Sequence, residues 1–398
     1  MNQVSARLAA LSPSETLAMS QKSNELKAQG IDVINLSVGE PDFTTPDHIK
    51  QAAKKAIDDN FSFYSPVPGY PALRNAIVAK LKNENGLDYK PEQIVCSNGA
   101  KQSVCNALMC IVGKGDEVIV PAPYWVSYVE MVKLAEGTNV IVTAGIDQDF
   151  KITPAQLEAA ITPKTKAFIL CSPSNPTGSV YTKEELKGLA DVLAKYPNVI
   201  VLADEIYEHI NYIGKHESIA QFDNIRDRVV IINGVSKGYA MTGWRLGWIA
   251  APQWIASACN KLQGQYTSGP SSITQKAAEA AYTGDQSCVA EMRKAFERRK
   301  NLVVSLTKEI PGLKVNNPTG AFYVFPECKS FFGKKTPAGE TINDAAELAM
   351  YLLTEGHVAC VGGAAFGAPD CIRMSYATSD EKLVEAFARI KKALADLK

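Results

Sequence analysis

The densest chemistry in the chain lies in Gly234-Val-Ser-Lys-Gly-Tyr-Ala-Met-Thr-Gly-Trp-Arg-Leu-Gly247. A single lysine, Lys237, stands between small residues, with Ser236 before it and Arg245 eight positions on. An amine so placed forms a Schiff base with an aldehyde, while a hydroxyl and a guanidinium bind a phosphate dianion. Small neighbours let the backbone approach a flat ring. An arbitrary lysine is a solvated surface cation in most proteins. These flanks are not surface-like, and the whole pattern suits a phosphorylated aldehyde cofactor.

The pattern also resembles the pyridoxal-phosphate attachment site of the class I aminotransferases, the fold type I family that includes aspartate aminotransferase. The resemblance extends from about Ser14 to Ser379. Asp204-Glu-Ile-Tyr207 follows an apolar, strand-like run. A carboxylate at a strand's C-terminal edge faces the crevice where open α/β sheets bind ligands. An anion held against a pyridine nitrogen keeps the ring cationic and able to accept carbanion electrons. The resemblance makes Asp204 that partner and Tyr207 a donor to the ring's phenolic oxygen; alone, the motif also suits a helix-capping aspartate. In the rigid turn Ser172-Pro-Ser-Asn-Pro-Thr-Gly178, the resemblance implies that Asn175 contacts the phenolic oxygen and the substrate α-carboxylate.

Ser97-Asn-Gly-Ala-Lys-Gln102 joins a strand to a helix, and backbone amides at such a start make an anion site. By resemblance Gly99, Ala100 and Lys101 form the phosphate cradle. Trp125, in Pro121-Ala-Pro-Tyr-Trp125, resembles the residue that stacks on the ring and borders the substrate. Gly39, in Asn35-Leu-Ser-Val-Gly-Glu-Pro-Asp42, resembles a backbone contact to the substrate carboxylate. Arg373 sits in the apolar context Cys371-Ile-Arg-Met-Ser375, where an unpaired guanidinium is costly. It needs a carboxylate, permanent or visiting, and the resemblance implies the α-carboxylate of amino and oxo acids. Tyr64, in Phe63-Tyr-Ser-Pro-Val-Pro-Gly69, resembles a tyrosine reaching the phosphate in the neighbouring subunit, which implies a homodimer with shared active sites. A surface-loop tyrosine is the rival reading.

The implied activity is ping-pong transamination of small-molecule amino and oxo acids with pyridoxal 5'-phosphate and no metal, Lys237 moving the Cα proton. No arginine occurs between Arg245 and Arg293, where animal-type aspartate enzymes carry the one that binds the side-chain carboxylate. The chain instead resembles the bacterial subgroup that uses a cradle lysine and N-terminal hydroxyls, matched here by Lys101, Ser14 and Thr16. That implies L-aspartate as donor and 2-oxoglutarate as acceptor. Prephenate-using relatives carry a lysine before a Pro-Ser pair, whereas Ser12 precedes Pro13 here. Aromatic, prephenate or broad specificity, or a C–S lyase on the same fold, are the alternatives. Gly362 stands where the family commonly has proline, which predicts a looser Gly362–Gly367 segment.

These residues need a frame, and the chain is long enough to build one. It has 398 residues, 46% hydrophobic and 21% charged, which is ample for a large core. With 42 basic and 42 acidic side chains, its zero net charge argues against nucleic-acid binding through a broad positive field. No apolar run approaches the ~18 residues of a membrane span, and MNQVSARLAALSPSE lacks the apolar region of a secretion signal. Nine cysteines without a CxxC pair argue against a disulfide framework or zinc site. A cytoplasmic protein is expected.

Seven short apolar runs between residues 93 and 250 read as strands buried on both faces: Gln93–Cys96, Glu117–Val120, Asn139–Thr143, Ala167–Cys171, Val199–Ala203, Val229–Ile232 and Leu246–Ala250. Helical patterns between them, such as the one opening at Thr182, predict an α/β fold: a mainly parallel sheet with helices on both faces, of the fold type I transferase kind. Residues 46–290 form the expected large cofactor-binding domain. Residues 1–45 and 291–398 form a smaller α+β domain, with strand candidates Val33–Leu36, Leu313–Val315, Phe322–Phe325, His357–Val361 and Cys371–Ser375.

Overall fold

The computed structural model describes residues 4–398. In chain order its strands are β1 (Ile34–Asn35), β2 (Ile94–Ser97), β3 (Glu117–Ala122), β4 (Thr138–Thr143), β5 (Thr165–Cys171) and β6 (Ile200–Asp204). There follow β7 (Val229–Gly234), β8 (Gly247–Ala250), β9 (Tyr323–Val324), β10 (Val358–Ala359), β11 (Val361–Gly362) and β12 (Ile372–Ser375).

All seven apolar runs of the central region become strands of one sheet, ordered β2-β8-β7-β6-β5-β3-β4. The pairs from β7 across to β4 are parallel. Only β8 runs against its neighbours β2 and β7. Every residue of β2, β6, β7 and β8 is buried, as helices packed on both faces require. The edge strand β4 departs from that expectation, because its residues are exposed or half-buried and it pairs only with β3. Its polar Thr138, Asn139 and Thr143 suit an uncovered edge.

The helix of residues Lys183–Leu193 shows how locally the sequence decides. Thr182 Oγ1 accepts the Glu185 N–H at 3.2 Å, and the Glu185 carboxylate accepts the Thr182 N–H at 2.8 Å. This reciprocal cap is worth about 1 kcal/mol. Leu186, Leu189 and Leu193 then form the buried face against the sheet.

A second core joins both ends of the chain. Ile34 and Leu36 share it with Phe296, Phe322, Leu348 and Phe387. There β1 pairs in parallel with β10, and β11, β12 and β9 form an antiparallel sheet. The expected strand at 357–361 is thus divided between two partners. Leu313–Val315 is not a strand; Lys314 makes a single bridge to Glu327. The Gly362–Gly367 segment is not loose. Gly362 pairs with Ile372, Gly363 N–H donates to Cys371 O at 2.7 Å, and Ala368 N–H donates to Gly363 O at 3.0 Å. A Cβ at Gly362 would come within 3.0 Å of the Ala346 backbone, so glycine here marks tight packing. Among the described residues no helix is long and apolar enough to cross a membrane.

Because β8 alone is reversed, the ends of β2, β3, β5, β6 and β7 and the start of β8 share one sheet edge. Every motif singled out between residues 97 and 247 leaves from that edge.

Candidate active site

A cavity of about 340 Å³ opens at this edge, where the second core meets the sheet. Thirteen of the residues named from the sequence line it: Ser14, Thr16, Gly39, Ala100, Lys101, Trp125, Asn175, Asp204, Tyr207, Ser236, Lys237, Arg245 and Arg373. Gly99 lies behind the lining. Tyr64 is not brought there; it is 97% exposed in the single chain.

Lys237 follows β7, and its Nζ donates to Gly39 O at 2.7 Å. Burial lowers its basicity to about 8, helped by Arg245 and Arg373 and opposed by Glu40 and Asp204. An amine so tuned is unprotonated, and nucleophilic, far more often at neutral pH than an ordinary lysine.

Asp204 ends β6. Burial pushes its carboxyl up to about 6 against the pull of its hydrogen bonds. Its Oδ2 accepts the Tyr128 hydroxyl at 2.5 Å and its Oδ1 the Ile206 N–H at 3.2 Å. Both donors are neutral, and no basic side chain among the described residues forms a salt bridge with Asp204, although the Lys237 charge across the cavity favours its ionised form.

Arg373, on β12, is 2% exposed. Its Nη1 donates to Asn175 Oδ1 at 3.0 Å and its Nη2 to Ser37 O at 2.6 Å, while Nε has no partner among the described residues. The Tyr323 and Phe366 rings each lie 4.8 Å from the guanidinium carbon. Neutral groups occupy every filled position, so no acid among the described residues pairs with this guanidinium.

The anion cradle is built by exclusion. Gly99 has φ +84°, and a Cβ there would lie 2.4 Å from Arg245 Nη2. A Cβ at Gly247 would lie 2.1 Å from the Ala100 nitrogen. Glycine is therefore required at both positions, and the helix of residues Ala100–Ile111 starts at the cavity, whose wall Ala100 lines. Arg245 itself holds φ +57° and is tied to Thr242 O at 2.9 Å. Lys101 Nζ sits 4.9 Å from the Trp125 ring centroid, and burial followed by Arg245 lowers its basicity. At the opposite wall Ser14 precedes the helix of residues Glu15–Ala28 without a side-chain cap bond. Thr16 Oγ1 is buried without a partner among the described residues. The lining thus carries four basic side chains, Lys101, Lys237, Arg245 and Arg373, and one acid, Asp204. It is complementary to a ligand with more than one negative charge.

Sequence reasoning missed Tyr128 and Tyr323, both buried and both lining the cavity. Tyr323 O–H lies 2.8 Å from Tyr207 O–H and stacks under Arg373. For Tyr128 a signal existed: it follows Trp125 by three residues, one helical turn. Tyr323 lay in a run read only as a strand.

The family described as aminotransferase class I and II matches residues 31–390. A protein named aspartate/prephenate aminotransferase, from Cereibacter sphaeroides, is 50% identical over 392 residues, 98% of each chain. One named aspartate aminotransferase, from Geobacillus stearothermophilus, is 48% identical over 96% of this chain and 97% of its own. Among solved structures, the aspartate aminotransferase of Rhizobium meliloti superposes with TM-score 0.97 at 42% identity over 100% of both chains. That of Thermus thermophilus with maleate gives 0.92 at 39% identity, over 99% of this chain and 100% of its own.

Proposed function

The chain belongs to the class I and II aminotransferases and is an aminotransferase, and we propose that it moves the amino group of L-aspartate to 2-oxoglutarate using pyridoxal 5'-phosphate (PLP) on Lys237. The observation that carries this reading is buried charge facing the cavity without a salt-bridge partner among the described residues: Arg373 on one side, Asp204 on the other.

The donor set fits PLP. Gly99, which has no room for a side chain, the Ala100 amide, the Ser236 hydroxyl and Arg245 would hold the phosphate. Trp125 would cover the ring, Asp204 would hold the ring nitrogen protonated, and Tyr207 and Asn175 would donate to the phenolic oxygen. Lys237 would hold the aldehyde carbon. When bound, the cationic ring supplies an acceptor for the electrons left at Cα when its proton departs.

The other steps fall to the chain's own side chains. Lys237 Nζ would take the proton from the substrate Cα as base and give it back as acid. Arg373, backed by Asn175 and the Gly39 backbone, orients the α-carboxylate so that the Cα–H bond faces Lys237. Lys101, with the uncommitted hydroxyls of Ser14 and Thr16, receives the second carboxylate. The Thermus thermophilus relative was solved with maleate, a four-carbon dicarboxylate, which supports a two-carboxylate site. Residues 46–290 act as the cofactor domain, and 1–45 with 291–398 as the domain that closes on it. In a homodimer each Tyr64 serves the other chain's phosphate.

The name of the Cereibacter sphaeroides relative favours one addition, prephenate as a second acceptor, although Ser12 replaces the expected lysine. The test is a panel of amino donors in single half-reactions, followed by cofactor absorbance, then 2-oxoglutarate or prephenate against the aminated enzyme. The reading predicts kcat/KM for aspartate about 100-fold above that for phenylalanine. Preference for an aromatic donor, or acceptor-free pyruvate from cysteine conjugates, would overturn it.

A further inference from the structure

We propose that Tyr128 is a positioning residue for Asp204, holding that carboxylate ionised and aimed at the ring nitrogen without spending its charge. The inference rests on the PLP reading above and deepens it.

Tyr128 lies in the first turn of the helix of residues Ser127–Leu134 and is 1% exposed. Its hydroxyl meets Asp204 Oδ2 at 2.5 Å, opposite the Ile206 N–H on Oδ1. The ring packs edge-on to Trp125, centroids 5.3 Å apart and planes at 88°, so one short segment places both the ring-covering indole and the phenol behind the carboxylate. A lysine or arginine at position 128 would neutralise Asp204 and leave nothing for a cationic ring. A phenol donates a hydrogen bond and keeps the anion available.

The groups that face Asp204 are few. Cys171 sits beside it on β5, in register; Glu205 follows it in sequence, and Lys237 lies across the cavity. Burial, then the Asp204 and Cys171 charges, push the Tyr128 phenol well above its ordinary range. It therefore stays protonated, and a donor, at any pH where the enzyme works. Glu205 raises Asp204 and Lys237 lowers it, behind the larger effects of burial and Tyr128.

The test uses Tyr128→Phe, with Tyr181→Phe as control; Tyr181 is also buried, and its hydroxyl accepts the Ile152 N–H at 2.9 Å away from the cavity. Three quantities are read: PLP Kd against pH, the protonated-carboxyl infrared band of the apoenzyme that Asp204→Asn removes, and the apoenzyme melting temperature. Tyr128→Phe should weaken PLP about tenfold at pH 7 and keep the band to about one pH unit higher than wild type. Tyr181→Phe should lower the melting temperature comparably and move neither. Unchanged Kd and an unshifted band in Tyr128→Phe would overturn the proposal. If wild type bound no PLP, the functional reading would fail instead, and the infrared titration would still decide whether Tyr128 governs Asp204.

Discussion

Asp204 and Glu205 are neighbours in sequence at the end of one strand, yet they enter opposite kinds of surroundings. Asp204 faces the cavity, held by two neutral donors. Glu205 turns into a closed buried cluster: Ser218 donates to it at 2.5 Å, and His216 Nε2 stands 3.1 Å away. In the same cluster Glu208 pairs with Lys80, both nearly inaccessible, and accepts from Asn85 at 3.1 Å. Burial raises both acids, but at Glu208 the Lys80, His209 and His216 charges win and hold it well below the ordinary value. At Asp204 burial wins and the carboxyl rises to about 6. Equal burial with opposite outcome separates architecture from function. The closed set pairs its charges within the chain, whereas Asp204 and Arg373 meet only neutral hydrogen-bond partners among the described residues.

Glu208→Gln should be the costliest way to break this contrast. It leaves Lys80 buried beside a neutral amide and should lower unfolding stability by about 3–5 kcal/mol in denaturant titration, with kcat of the surviving folded fraction unchanged. Because Glu208 sits below its ordinary 4.5 in the fold, its stabilisation is complete above about pH 4.5 and fades as pH falls further.

On the open side, Arg373→Met should cut kcat/KM for aspartate about 10²–10³-fold, since a buried guanidinium lost to a carboxylate is worth several kcal/mol. Apoenzyme stability should not fall, because no protein acid is orphaned. A large stability loss would place Arg373 in the closed class.

Asp204→Asn makes the sharpest pairing with Glu208→Gln, two carboxamides four positions apart and opposite in sign. The folded carboxyl titrates near 6, above its ordinary 3.8, so the native apoenzyme holds an extra proton between. Its stability therefore declines as pH rises from about 4 through 6, and the asparagine variant should escape that decline. At pH 7 it should be about 2 kcal/mol more stable than wild-type apoenzyme, and nearly inactive. The smallest effect is expected at the cavity rim: Lys101→Ala should raise KM for aspartate about tenfold and leave an aromatic donor within twofold.

Much of this was legible before the structure, for reasons that can be named. Runs such as Val229–Ile232 are continuously apolar because both faces are covered, and that burial is written in composition. Lys237, Asp204 and Asn175 were legible because each stands at the exit of such a run. Contacts between distant segments were not. Tyr128 and Tyr323 read as core aromatics, which they are, and their hydroxyl partners lie 76 and 116 residues away. Arg373 could be read as needing a carboxylate, but only the structure shows that its partners, Asn175 and the Ser37 carbonyl, are neutral. Leu313–Val315 has strand composition without a ladder to join. Gly362 was misjudged because a missing proline suggests freedom, whereas close packing on Ala346 removes it.

The most direct test of the central claim is chemical. Purified protein incubated with PLP, reduced with borohydride and digested should yield one peptide carrying a phosphopyridoxyl group on Lys237 Nζ, with none in Lys237→Ala. Label spread over surface lysines, or a Lys237 peptide recovered unmodified, would contradict the account.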